Sequence, residues 1–198
     1  VDVGAICSPL QVKVIEDLVD DALASGAKAL VGGKRLTEGD YAKGNFFPPT
    51  VLVDVHPDMR IAQEEVFGPV LLIMKFETDA EAVRIANGTA FGLQSSVFSK
   101  NQARAERIAS QIQAGATVLN DFCMCYLNQN LPFGGVKTSG FGRMNGRDGL
   151  RAYTNAKAVL KDRFWNWGVV PRLYPVKATD YVQARRMIRL MLAKGWGQ

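Results

Sequence analysis

Three times along this chain a capping pattern opens a run of apolar residues spaced three and four apart, and a glycine closes it. Ser8-Pro9-Leu10-Gln11 places a serine before a proline and a Gln at the third helical position. That is a capping-box arrangement with proline where its missing N–H costs nothing. Thr78-Asp79-Ala80-Glu81 and Ser99-Lys100-Asn101-Gln102 follow the same grammar. The apolar positions behind them are Val14/Ile15/Leu18/Ala22, Ala82/Ile85/Ala86 and Ala105/Ile108/Ala109/Ile112, with stops at Gly26, Gly88 and Gly115. Such spacing predicts three helices.

Short β-forming segments come after the stops: Ala29–Val31, Leu93–Phe98 and Thr117–Leu119. Thr50–Val55 and Val70–Phe76 join them from the middle of the chain. Strands alternating with single helices predict parallel pairing through crossover helices, hence an α/β fold, a three-layer αβα parallel sheet. Val70-Leu71-Leu72-Ile73 is apolar on both faces, which predicts a strand covered on both sides. Gly39–Pro49 is polar and reads as a loop.

Composition narrows the class. The 198 residues are 47% hydrophobic and 22% charged, ordinary for a soluble globular protein. No run reaches the roughly 18–20 apolar residues of a membrane-crossing helix, and no secretory signal opens the chain. The first residue is Val rather than Met, which predicts that something upstream was removed. Three cysteines (Cys7, Cys123, Cys125) and His56 fall short of a structural zinc site, which needs about four ligands, so no metal is expected. An odd, small cysteine count predicts a reducing, cytoplasmic setting. Residues 151–198 hold ten Lys/Arg against Asp162 and Asp180, a local charge of +8, so the overall +5 leaves −3 for residues 1–150. A change of character near residue 150 follows.

Two stretches point to chemistry. In Glu64-Glu65-Val66-Phe67-Gly68-Pro69 two carboxylates meet an aromatic ring and a Gly-Pro turn, between two apolar runs. A carboxylate there can accept hydrogen bonds from a sugar diol while the ring forms a flat wall. The six residues read equally as a solvated acidic turn followed by a core phenylalanine. In the second stretch, Leu131–Arg143, Gly134, Gly135, Gly140 and Gly142 permit close approach of the backbone to a ligand or another chain segment. A phosphate loop is excluded by spacing, because Val136 separates Gly135 from Lys137. Between the two, Val118–Asp121 ends a strand. The loop Phe122–Asn130 behind it lies where α/β proteins bind ligands, or else covers a core edge.

Taken in order, several segments resemble the aldehyde dehydrogenase superfamily. They are Gly44–Val51 (GNFFPPTV), Glu64–Val70 (EEVFGPV), Asn87–Gly92, Gly115–Asn120 (GATVLN) and Leu131–Gly140 (LPFGGVKTSG), within residues 1–162. The resemblance implies an oxidoreductase that uses NAD or NADP to convert an aldehyde substrate to a carboxylic acid. In that chemistry a cysteine thiolate attacks the aldehyde, hydride passes to the cofactor and water hydrolyses the thioester. It further implies that Glu65 bonds the nicotinamide ribose hydroxyls and that Phe67 packs beside the same ribose. Gln11 falls near a ribose-contacting position, and Phe133 matches an aromatic of the substrate tunnel. The family's nucleophilic cysteine, general-base glutamate, oxyanion-hole asparagine and Rossmann-like dinucleotide-binding half would all lie upstream of residue 1. No catalytic residue is therefore assigned here, and this chain alone is expected to be inactive. Met144 stands after Arg143 where many members carry an acid.

The expected layout is residues 1–143 as the C-terminal part of the catalytic domain, 144–162 as an oligomerisation strand segment, and 163–198 as a basic extension. Lys157–Lys161 resembles the strand by which family subunits pair, which implies a homodimer or homotetramer. Asp162–Trp165 and Tyr174–Val176 resemble a plant and fungal branch with an extended C-terminus. Thr179/Asp180 predict the cap of a last helix with an apolar stripe Ala184/Met187/Ile188/Met191 and Arg185, Arg186 and Arg189 away from it. This helix reads as docked on its own protein, as lying on a membrane surface, or as meeting an anionic partner. No nucleic-acid recognition fold is present, so no nucleic-acid partner is expected. A different class of function is a non-catalytic aldehyde-dehydrogenase-like protein acting in assembly.

Overall fold

The computed structural model describes residues 3–159 and 177–193. Two compact units divide the chain, Val1–Ala156 and Lys157–Gln198. The first unit opens with α1 (Pro9–Ala24), β1 (Lys28–Val31), a 3-10 turn (Gly39–Lys43) and β2 (Thr50–Val53). Then come α2 (Arg60–Gln63), β3 (Val70–Leu72), α3 (Asp79–Asn87), β4 (Gln94–Val97), α4 (Gln102–Ala109) and β5 (Ala116–Leu119). It closes with α5 (Met124–Leu127), a 3-10 turn (Lys137–Ser139) and α6 (Gly146–Ala152).

The fold is α/β with parallel strand pairs. β2 runs parallel to β3, and β4 runs parallel to β5 in a second, two-stranded sheet. Crossovers explain both: α2 bridges the first pair and α4 the second. β1 departs from the parallel expectation and pairs antiparallel with β2, Ala29 opposite Leu52. Only a 3-10 turn lies between these two strands, so no helix carries the chain back to the starting edge.

One core holds α1 against the first sheet. Ile15, Leu18, Val19 and Ala22 pack with Phe47, Leu52, Val55 and Ile61. Val12 and Val19 belong to this buried face and Val14 does not. At about 100° per residue, position 14 swings away from the line through 12, 15, 19 and 22. The buried hydroxyl of Thr50 is satisfied, donating to the Pro48 carbonyl (3.0 Å) and accepting from the Gly33 N–H (2.9 Å).

The expected two-sided cover of residues 70–73 is not found among the described residues. Val70 and Leu72 pack on the core, while Leu71 and Ile73 are 58% and 41% exposed on the other face. The period of two in a strand sends them away from α1. β1 is likewise open, at Leu30 and Val31.

Helix starts follow local hydrogen bonding more closely than the pattern. Thr78 caps α3 as expected, accepting from the Glu81 N–H (3.1 Å). At α4 the cap is Asn101 rather than Ser99: Asn101 accepts from the Arg104 N–H, and Ser99 Oγ instead accepts from the Asn101 N–H. At α1 Ser8 makes no side-chain cap, and the Gln11 side chain that would complete a capping box bonds the Val66 carbonyl instead.

In the second unit, α7 (Ala178–Ala193) starts one residue before the expected Thr179 cap. The Asp180 carboxylate explains the start by accepting from the Lys177 N–H (2.8 Å). Residues 160–176, which hold the end of the expected pairing strand and the aromatic cluster at 164–167, lie outside the described residues.

Candidate functional site

The segment 64–69 leaves α2 and returns to β3, and backbone hydrogen bonds anchor it at both ends and at Val66. Glu64 N–H donates to the Arg60 carbonyl (2.8 Å), Val70 N–H to Gly68 (2.8 Å) and Thr50 N–H to Pro69 (2.8 Å). Gln11 Nε2 donates to the Val66 carbonyl at 2.8 Å, and Val66 itself packs on the core. Gly68 lies against Ile15: a Cβ there would come 2.5 Å from its Cδ1. Helix α1 therefore holds this segment at two points.

The two acids part company. Glu64 Oε1 and Oε2 accept from Arg60 Nε (2.8 Å) and a terminal guanidinium nitrogen (3.1 Å). Those bonds, with the charge behind them, hold the Glu64 carboxyl below its ordinary range. The Glu65 carboxylate makes no hydrogen bond and no ion pair among the described residues, and it is exposed. Two residues on, Phe67 sits at φ 46° in the left-handed region with its ring 77% exposed. Left-handed backbone at a bulky residue costs about 1–2 kcal/mol, and an exposed ring recovers little of it. Outliers of that kind cluster where ligands are gripped.

Glu65 borders a cleft of about 570 Å³ whose walls include Thr89, Phe91, Gln94, Ser95, Thr138 and Ser139. These wall residues went unassigned in the sequence because they come from two stretches, 89–95 and 138–139, more than forty residues apart. The stretch 136–139 clasps the loop after α3. Lys137 Nζ donates to the Asn87 and Thr89 carbonyls (both 2.9 Å), Thr138 Oγ1 to Ala90 (2.6 Å), and Ser139 Oγ accepts from the Gly92 N–H (3.0 Å). The Lys137 ammonium thus neutralises carbonyls at a helix end, as cations favour, and no phosphate role is needed to account for it. The glycine-rich stretch makes its close approach inside the chain: a Cβ on Gly115 would run into the Gly134 carbonyl.

Phe133 stands apart from this cleft. It is 8% exposed, its ring edge-on to Tyr126 (centroids 5.1 Å, 82°), and its backbone bridges Met144. In the loop before it the Asp121 carboxylate accepts backbone N–H bonds from Cys123 (3.0 Å), Met124 (3.3 Å) and Phe122, which lower its pKa. Most of that loop faces outward, with Cys125 the buried exception. A larger hollow of about 830 Å³ lies beside α6, edged by Asn130, Met144, Arg147 and Tyr153, and includes none of Gln11, Glu65, Phe67 or Phe133. Among the described residues no group of acids, cysteines and histidine is arranged to hold a metal, and no helix is long and apolar enough to cross a membrane.

Comparison with known proteins adds the rest. The aldehyde dehydrogenase family model matches residues 1–159. An aldehyde dehydrogenase-like protein of Schizosaccharomyces pombe is 40% identical over 200 residues, covering 100% of this chain and 38% of that protein. The 4,4'-diapolycopene aldehyde oxidase of a Methylomonas species is 38% identical, covering 91% of this chain and 32% of its own length. A crystal structure of Staphylococcus aureus betaine aldehyde dehydrogenase in complex with NAD+ superposes with a TM-score of 0.75 at 42% identity, over 83% of this chain and 33% of that one. The chain thus spans about a third of the length of each of these three proteins.

Proposed function

Since the chain belongs to the aldehyde dehydrogenase family, we propose that it forms the C-terminal part of an NAD(P)+-dependent enzyme oxidising an aldehyde to a carboxylic acid. Its contribution is the grip on the nicotinamide ribose and one side of the aldehyde tunnel. The observation that carries this reading is the pairing of a Glu65 carboxylate, without a partner among the described residues, with an exposed Phe67 held in left-handed backbone. A ribose fits these residues. The two Glu65 oxygens can accept from vicinal hydroxyls in charge-assisted bonds, and the Phe67 ring can lie along the sugar and its base.

The nicotinamide ring, when bound, supplies the hydride acceptor. What the chain does is orient it. Arg60 occupies Glu64, which leaves Glu65 free for the sugar. Gln11 braces the segment through its amide N–H, and its Oε1, without a partner among the described residues, remains able to accept from a ribose hydroxyl. Phe133, backed by Tyr126, belongs to the tunnel side. Either NAD+ or NADP+ suits this grip, since neither the Glu65 nor the Phe67 contact reaches the adenosine end. The nucleophile and general base are supplied from outside these residues, so residues 1–198 alone are inactive. Subunits pair as dimers or tetramers, and the basic tail reaches a membrane surface.

Glu65→Gln in the intact enzyme tests the assignment. It keeps the size of the side chain and removes the charge from its hydrogen bonds to the ribose. Single-turnover formation of NADH or NADPH slows, while melting temperature is unchanged. An undiminished single-turnover rate refutes the role of Glu65.

A further inference from the structure

Helix α7 carries sixteen residues, about 24 Å of helix at 1.5 Å per residue. Around it, Tyr181, Ala184, Met187 and Ile188 fall along one stripe. Arg185 and Arg189 follow one another beside the Tyr181 edge of that stripe, and Arg186 lies on the opposite side. Tyr181, Met187 and Ile188 are each more than half exposed. The helix has one acid, Asp180, and its carboxylate is already bonded to the Lys177 N–H at the first turn. Three guanidinium groups therefore stand in the body of the helix with no carboxylate to answer them on the same element.

This combination of an apolar stripe bordered by arginines is what an interfacial helix needs. The apolar side enters the boundary between headgroups and acyl chains, and the long arginine side chains reach back to the headgroup oxygens. Arginine suits phosphate through its planar fork of N–H donors. From this geometry we infer that α7 lies on an anionic lipid surface, with Arg185 and Arg189 contacting headgroup phosphates and carboxylates, Tyr181, Met187 and Ile188 inserted, and Arg186 facing water. The inference rests on the reading that the tail reaches a membrane and adds which lipid chemistry it takes. The S. pombe relative matches along 100% of the chain, so its matched region includes this helix.

The test uses the intact protein and sedimentation with vesicles of phosphatidylcholine alone or with about one part in four of phosphatidylserine. Binding is expected to the anionic vesicles, to weaken with added salt, and to be far weaker on phosphatidylcholine. Each arginine near such a surface contributes enough that Arg185→Gln with Arg189→Gln should lower affinity about 30-fold, whereas Arg186→Gln should leave it nearly unchanged. Met187→Ser with Ile188→Ser should abolish binding while the arginines remain. Aldehyde oxidation and melting temperature serve as controls for folding in each variant.

Equal binding to both vesicle types overturns the anionic inference and leaves the membrane reading standing. Absence of binding to either overturns both. If binding is absent and the same variants lower the melting temperature or the oligomer size, α7 docks on its own protein or on a second copy.

Discussion

Replacing Gly68 with Ala probes how the proposed ribose grip at Glu65 and Phe67 is held. The added Cβ would lie 2.5 Å from Ile15 Cδ1 and 2.7 Å from its Cγ1, whereas carbon atoms pack at about 3.5–4.0 Å. One side must therefore yield by about 1 Å. Ile15 is fully buried between α1 and the first sheet and has nowhere to go. Overpacking of a filled core costs about 1–3 kcal/mol. The easier route for the strain is outward, through the 64–68 segment, which carries Glu65 and Phe67 with it. A displacement of about 1 Å at a positioning element costs on the order of 100-fold in rate.

Urea denaturation and single-turnover cofactor reduction on intact Gly68→Ala enzyme measure the two effects. A second variant separates them. Ile15→Ala removes the atoms that collide and by itself costs about 2–5 kcal/mol as a cavity. Combined with Gly68→Ala it should be less destabilising than the two losses added, and cofactor reduction should recover part of the way. Additive losses, or a Gly68→Ala enzyme with unaltered stability and rate, would refute the placement of this segment on Ile15.

Phe67→Gly should separate stability from function. Glycine removes a left-handed strain of about 1–2 kcal/mol and costs about 0.5–1 kcal/mol in chain entropy, so the melting temperature holds or rises slightly while cofactor affinity by fluorescence titration falls; a fall in both would mean the ring is structural. Asp79 at the start of α3 accepts from Arg104 (3.0 Å to Nε) and Arg107 (3.1 Å), and these bonds, Arg104 first, hold its pKa below the ordinary value. A lowered folded pKa makes this stabilisation complete above about pH 3.9 and lost as pH falls through the folded value. The melting-temperature gap between wild type and Asp79→Asn should therefore be full at neutral pH and close in acid; a gap independent of pH would contradict the ion pair's role.

Much of the fold is legible in the residues because local chemistry dictates it. Pro9 at the first turn and the 15/18/22 spacing set α1 on the core, and Thr78 caps the start of α3. What escapes is decided by competition between nearby groups or by distant ones. Asn101 outcompetes Ser99 for the α4 cap although both offer an acceptor. Gln11 has the right position for a capping box, yet its amide finds the Val66 carbonyl, fifty-five residues away. Nothing in the local pattern states that. In the candidate site, the separation of Glu64 from Glu65 depends on Arg60 one turn earlier, and the left-handed Phe67 has no sequence mark. The cleft wall at Thr138 and Ser139 was hidden for the same reason: it takes shape only when Lys137 clasps a helix end fifty residues earlier.

The contact between Gly115 and Gly134 bears on how inherited differences in this protein should be interpreted. Neither residue lines the Glu65 cleft, neither carries a functional group, and a glycine-to-alanine change ranks among the mildest by composition. Yet any side chain at Gly115 forces the backbone of the 131–143 stretch away from the strand end. That stretch includes Thr138 and Ser139, so the opposite bank of the Glu65 cleft would move as a body. A variant at either glycine should be scored as a lesion of the Glu65 cleft, however far from Glu65 it lies along the chain.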